Sequence, residues 1–229
     1  MQEEKIFSAY DRVGKFSDLY DGMMANKSFL GRFAMKFFWG LSDEDYQKFL
    51  SYAFAGIPQN FSGKLLEVPI GTGVLSLPIY KNFPAAKIFG LDYSEKMLQV
   101  AATHAQELNL RNVELVQGDV GNLNFPDNNF EIVLSINGLH AFQKKVSAYE
   151  EIFRVLKEDG IFCGTVYVRG ENFLTDKFVK NFCERFGYFV APYETAESLQ
   201  KKLREIYREV KISVVGSFAG FICRKNFKV

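Results

Sequence analysis

Two glycines and an acid carry the chemistry most open to reading in this chain. The run Leu65-Leu66-Glu67-Val68-Pro69-Ile70-Gly71-Thr72-Gly73 ends an apolar stretch in a glycine loop, and Gly90-Leu91-Asp92 ends a second apolar stretch on a carboxylate. Glycine lets a backbone turn sharply and come close to a ligand, and an acid at a strand end about twenty residues on is placed to accept ribose hydroxyls. The pair therefore points to a nucleoside bound across a βαβ unit.

Which nucleoside is narrowed by what the loop lacks. A dinucleotide loop reads G-x-G-x-x-G, its third glycine letting the helix pack close beside a pyrophosphate; Ser76 holds that position here. A phosphate-cradling G-K-[ST] is missing as well, because Thr72-Gly73-Val74 fills that region. A ligand with a ribose and no diphosphate remains, which describes S-adenosylmethionine. An NAD(P)-dependent oxidoreductase stays open as the alternative enzyme, and a non-catalytic S-adenosylmethionine-binding or interaction protein as the alternative from another class.

The elements that must hold these residues follow from periodicity. Before residue 60 the pattern is helical: Tyr10, Val13, Phe16 and Tyr20, then Phe29, Phe33 and Phe37, and a helix opened by a Ser42/Asp45 capping box that buries Tyr46, Phe49, Leu50, Ala53 and Phe54. From Lys64 short apolar stretches alternate with helices, and strands are expected at 64–69, 87–92, 113–118, 130–136 and 161–168. Ser94 caps one intervening helix, and Gly160 is expected to end another with a positive φ. Residues 171–190 read as an aromatic helix, 211–217 and 219–224 as a closing antiparallel hairpin. The expected fold is α/β: a Rossmann-like, doubly wound, mostly parallel seven-stranded sheet with a C-terminal antiparallel hairpin and a helical N-terminal cap. One domain spans 1–229, divided into a cap or lid (1–60) over the ligand edge, a cofactor core (61–168), an aromatic cap insertion (169–195) and a closing helix and hairpin (196–229).

Composition limits the partners. With 28 basic and 27 acidic residues the net charge is +1, too little field to hold a nucleic-acid backbone. Three scattered cysteines suit a reducing compartment, and neither a leader nor a membrane-length apolar run is visible, so a cytoplasmic monomer or homodimer acting on a small molecule is expected. Two distant histidines and dispersed cysteines offer no metal-ligand spacing.

Four segments in order resemble the class I S-adenosylmethionine-dependent methyltransferases, in their small-molecule branch that includes quinone C-methyltransferases. They are Glu67 to Gly73, Gly90 to Leu98, Gly118-Asp119-Val120 with Phe125-Pro126-Asp127 and Phe130 to Val133, and Arg154 to Ile161. The resemblance implies roles. Gly71, Thr72 and Gly73 form the loop beneath the methionine portion, and Glu67 holds its ammonium. Asp92 accepts the ribose hydroxyls, Tyr93 and Met97 flank the adenine, Asp119 accepts its exocyclic amine, and the Val120 amide reaches a ring nitrogen. Ser135, Ile136 and Asn137 pass beside the reactive methyl, while Tyr10 and Tyr20 belong to a lid. One departure is Pro69, which stands where the family has its first glycine and has neither an amide hydrogen nor freedom in φ.

Of the two histidines, His104 lies mid-helix and reads as an ordinary half-buried residue. His140 follows the fourth strand, at the edge where such sheets bind ligands, and is a candidate catalytic base or positioning group.

Overall fold

Alternating apolar stretches and helices build one sheet. The computed structural model describes residues 21–22 and 29–225, so Tyr10 and Tyr20 lie outside the described residues. Strands β1 (Lys64–Glu67), β2 (Lys87–Asp92), β3 (Val113–Gln117), β4 (Phe130–Ile136), β5 (Leu156–Tyr167), β6 (Glu209–Val215) and β7 (Phe218–Arg224) are ordered β3-β2-β1-β4-β5-β7-β6. The first five run parallel, and β7 lies antiparallel between β5 and β6. The order reverses between β1 and β4, and at such a switch point the loops leaving the strands' carboxyl ends part and leave a crevice. Gly71, Asp92 and Asn137 all stand on those ends.

Seven α-helices are described: α1 (Phe29–Trp39), α2 (Asp43–Phe54), α3 (Leu77–Tyr80), α4 (Glu95–Glu107), α5 (Lys145–Val155), α6 (Phe173–Phe178) and α7 (Ala196–Ile206). None is long and apolar enough to cross a membrane. Strand residues alternate between two cores: Leu65, Ile132 and Cys163 face α2 and α4 on one side, while Leu66, Val133 and Phe162 face α5 and α7 on the other. The expected strands and hairpin are present within a few residues, and the Ser42 capping box and Ser94 cap both form.

Three expectations need correction. Residues 43–54 were expected to close the ligand edge, but α2 lies on the face of β5 and β7, where Gly56 and Gly220 leave room for Cys163 and Tyr52. The positive φ after α5 belongs to Asp159 (+58°), not Gly160; at Gly160 a Cβ would fall 2.7 Å from the Lys157 carbonyl oxygen, so close approach demands the glycine. The aromatic helix is short, passing from α6 into a π-helical turn at Val179–Cys183, with Gly187 reversing the chain at φ +83°. Its rings extend a stack from α1, Phe38 on Phe178 and Phe178 on Phe182.

Candidate functional site

The glycine loop is held by bonds on either side of Pro69. Val68 N donates to Leu134 O on β4 and Ile70 N donates to Leu91 O on β2, each at 2.9 Å. Pro69 sits between the two donors, where its missing N–H costs no bond. Its ring instead packs against Gly138, where an added Cβ would stand 2.1 Å from Pro69 Cδ.

The two glycines do different things. Gly71 adopts φ +58° and a Cβ there would meet nothing within 4 Å, so its backbone borders open space. Gly73, at φ +71°, lies under Leu77: a Cβ would stand 2.4 Å from Leu77 Cδ1, so this glycine admits α3. The Ser76 hydroxyl of the absent third glycine position is buried at the start of α3.

Asp92 fastens this loop to β2. Its Oδ2 accepts the Gly71 amide at 2.8 Å and its Oδ1 the Ser94 amide at 2.9 Å. Burial pushes its pKa up to about 6, against the pull of those amides. Glu67, at the end of β1, is buried more severely and its pKa rises to about 8, although the Tyr80 hydroxyl donates to it at 2.7 Å. Two carboxyls thus stand at adjacent strand ends, each favouring a cationic or multiply donating ligand that offsets its desolvation.

The rest of the donor-side set is spread in depth. Tyr93 is 59% exposed, whereas Met97, one turn into α4, is 1% exposed and faces the interior. Asp119 is exposed, accepts the Gly121 amide at 2.8 Å and bridges to Asn122, so it shapes the turn after β3 and sets Val120 beside it. Ser135 and Ile136 are buried on β4. Asn137 follows at φ +51°, its amide donating to Thr165 O at 2.8 Å.

His140 lies beyond them beneath an aromatic cover. Its ring stacks on Phe189 at 3.6 Å between centroids, and Phe189 also meets Trp39, Tyr167 and Tyr193. Its Nδ1 has no hydrogen-bond partner, and burial aided by the Lys145 charge lowers its pKa to about 3, so the imidazole is neutral. Lys145 pins the cover: Nζ donates to Val190 O at 2.6 Å and to Pro192 O at 2.7 Å. The cavity lined by His140, Lys145, Tyr167 and Tyr193 admits about 20 Å³, one water's worth of space.

Sequence reasoning did not find Phe189, Tyr193 or Lys145 as neighbours of His140, since an aromatic or lysine far along the chain carries no local signal. It also missed His104, whose ring meets Thr72 and Asp21. Among the described residues no group of three His, Cys, Asp or Glu stands close enough to hold a metal ion.

The crevice suits a nucleoside with a cationic tail: open space over Gly71, a ribose-facing acid, a second buried acid beside the loop, and no cradle for phosphates. Comparison with known proteins agrees. A family described as methyltransferase domain matches residues 62–211. The chain is 31% identical over 163 residues to the demethylmenaquinone methyltransferase of Listeria welshimeri, covering 69% of each. A crystal structure of an S-adenosylmethionine-dependent methyltransferase from Thermotoga maritima superposes with a TM-score of 0.68 at 20% identity, over 95% of this chain and all of that one. The phosphoethanolamine N-methyltransferase 2 of Haemonchus contortus, solved with S-adenosylhomocysteine, superposes with a TM-score of 0.63 at 19% identity over 80% of this chain and 43% of that one. The chain belongs to the class I S-adenosylmethionine-dependent methyltransferases and transfers a methyl group from S-adenosylmethionine to a small-molecule acceptor.

Proposed function

We propose that the acceptor is a flat, apolar ring bearing a hydroxyl, of the quinol type, methylated on ring carbon. The observation that carries this reading is the cover over His140: stacked rings from Phe189, Tyr167 and Tyr193 around one neutral imidazole whose Nδ1 is unbonded. Aromatic walls favour a planar apolar body, and a lone buried acceptor nitrogen favours one hydroxyl donor. The name of the Listeria relative, demethylmenaquinone methyltransferase, points the same way.

When bound, S-adenosylmethionine supplies an electrophilic methyl group on a sulfonium. The chain's own part is to hold and orient. Gly71, Thr72 and Gly73 would pass beneath the methionine portion while Glu67 takes its ammonium. Asp92 would accept the ribose hydroxyls, Tyr93 would cover the adenine with Met97 supporting from beneath, and Asp119 with the Val120 amide would meet the adenine edge. Ser135, Ile136 and Asn137 would border the methyl. With a pKa of about 3, His140 accepts a hydrogen bond from the acceptor hydroxyl and aligns the ring rather than storing its proton. Alignment is where a methyl transferase gains most, because the donor is already activated.

Incubating the chain with S-adenosylmethionine and reduced naphthoquinones lacking a ring methyl tests the reading. One methyl gained on ring carbon supports it. Transfer to amines or thiols with none to the naphthoquinols overturns it.

A further inference from the structure

Three side chains far apart in sequence close a triangle on the glycine loop. Thr72, the residue between Gly71 and Gly73, donates its hydroxyl to Asp21 Oδ1 at 2.6 Å. His104, in the last turn of α4, meets the Thr72 carbonyl oxygen through Nδ1 at 2.9 Å. The other ring nitrogen of the same histidine, Nε2, stands 3.5 Å from Asp21 Oδ2. Thr72 and Asp21 are buried, and the hydroxyl-to-carboxylate bond is short and charge-assisted. None of the three is needed to complete a helix or strand, so the triangle is a tertiary fastening.

We propose that Asp21 and His104 are positioning residues for cofactor binding: together they clasp Thr72, fix the path of the loop at Gly71 and Gly73, and anchor the segment around residue 21 beside it. The inference rests on residues 71–73 being the cofactor loop. Its physical basis is preorganisation. Both glycines sit at positive φ, a region open to glycine but not preferred, so an untethered loop samples other paths and a ligand must fix them again on binding. Thr72 is the one side chain between them, and the clasp holds it at both its hydroxyl and its carbonyl. His104 touches no ligand in this arrangement; it acts through the loop backbone.

The test is calorimetry with S-adenosylhomocysteine on the full chain and on D21A, H104A and the double variant, with T72V and T72S as a second pair of nearly unchanged volume. Each single loss is expected to weaken binding about tenfold, and the double variant to be no weaker than either single one, because residues in one network couple by that order. T72S, which keeps the hydroxyl, should bind within about twofold of the wild type while T72V follows H104A. Hydrogen exchange at Gly71, Thr72 and Gly73 in the ligand-free chain should accelerate in H104A and T72V. In steady state the KM for S-adenosylmethionine should rise with little change in kcat, a split that general destabilisation would not give. Wild-type binding with unaltered affinity in H104A and T72V overturns the clasp and leaves the loop assignment standing. Absence of binding by the wild type overturns the loop assignment and the clasp with it. Should H104A fail to fold, T72V against T72S decides.

Discussion

The two ends of the crevice are built from opposite materials. At the ends of β1 and β2 the walls are backbone amides and two buried carboxyls, Glu67 and Asp92, with pKa values raised by burial. At the ends of β4 and β5 they are aromatic rings around a neutral histidine and a pinned lysine. One end offers negative charge and directed acceptors, suited to an invariant cationic ligand; the other offers shape and apolar surface, suited to a ligand defined by its ring. A single sheet edge thereby separates the methyl donor from the proposed acceptor by chemistry as well as by place.

Breaking the first end should have the largest effect. In D92A the Gly71 and Ser94 amides both lose their acceptor, at about 1–3 kcal/mol for each buried unsatisfied group. Adding the lost ribose contact, S-adenosylhomocysteine affinity should fall by at least about a hundredfold, as measured by calorimetry. Retained affinity would show that the donor end is not organised on this carboxylate.

F189A breaks the second end and should leave the first intact. Removing the ring unstacks His140 and strips Trp39, Tyr167 and Tyr193 of a shared neighbour, a loss of about 3–5 kcal/mol in unfolding stability. Water then reaches His140, whose pKa should climb from about 3 toward its ordinary value, a shift visible by NMR titration of the ring. Cofactor affinity should stay within about twofold, since the two ends share no side chain. A large loss of that affinity would collapse the distinction between them.

A pH series sharpens the contrast further. Glu67 binds its proton more tightly folded than unfolded, so between its model value of 4.5 and about 8 the native chain carries a proton that the unfolded chain lacks, and stability falls as pH rises. Asp92 adds the same sign between 3.8 and about 6. Urea unfolding of the ligand-free chain should therefore show stability declining across this window, by about 1.4 kcal/mol per pH unit for each group at most. E67Q should flatten the slope above pH 6, where only Glu67 still acts. An unchanged slope would place the carboxyl in a far wetter setting.

How much of this the chain declared in advance follows the same division. Gly71, Gly73 and Asp92 were legible because their constraints are local: a positive φ or a strand-end acid imposes a residue type at a fixed spacing. Pro69 looked like a defect because its compensation, the packing against Gly138, lies 69 residues away in the chain. His104 looked ordinary for the same reason, its partners being Thr72 and Asp21. The cover over His140 was hidden more deeply, since phenylalanine is frequent here and any of its 24 copies reads first as core. Sheet order followed from alternation, whereas the place of α2 did not, because an amphipathic helix fits a sheet face as well as a sheet edge.

The smallest effect is expected where one motif names two residues that the fold then separates. Tyr93 and Met97 stand four apart and were read together as the adenine's neighbours, yet one is 59% exposed and the other 1%. Y93A removes a surface ring, so stability should move by no more than about 0.5 kcal/mol. Affinity for S-adenosylhomocysteine should drop about three- to tenfold, the worth of one aromatic face. M97A should do the reverse, losing about 2–5 kcal/mol of stability by leaving a cavity in the packing of α4 while affinity per folded molecule changes less than in Y93A. Thermal unfolding and calorimetry on the two variants separate these outcomes. If M97A were to weaken binding more than Y93A at equal folded fraction, the adenine would have to lie deeper than the surface ring, between α4 and the sheet, and the donor end would owe its grip to apolar packing as the acceptor end does.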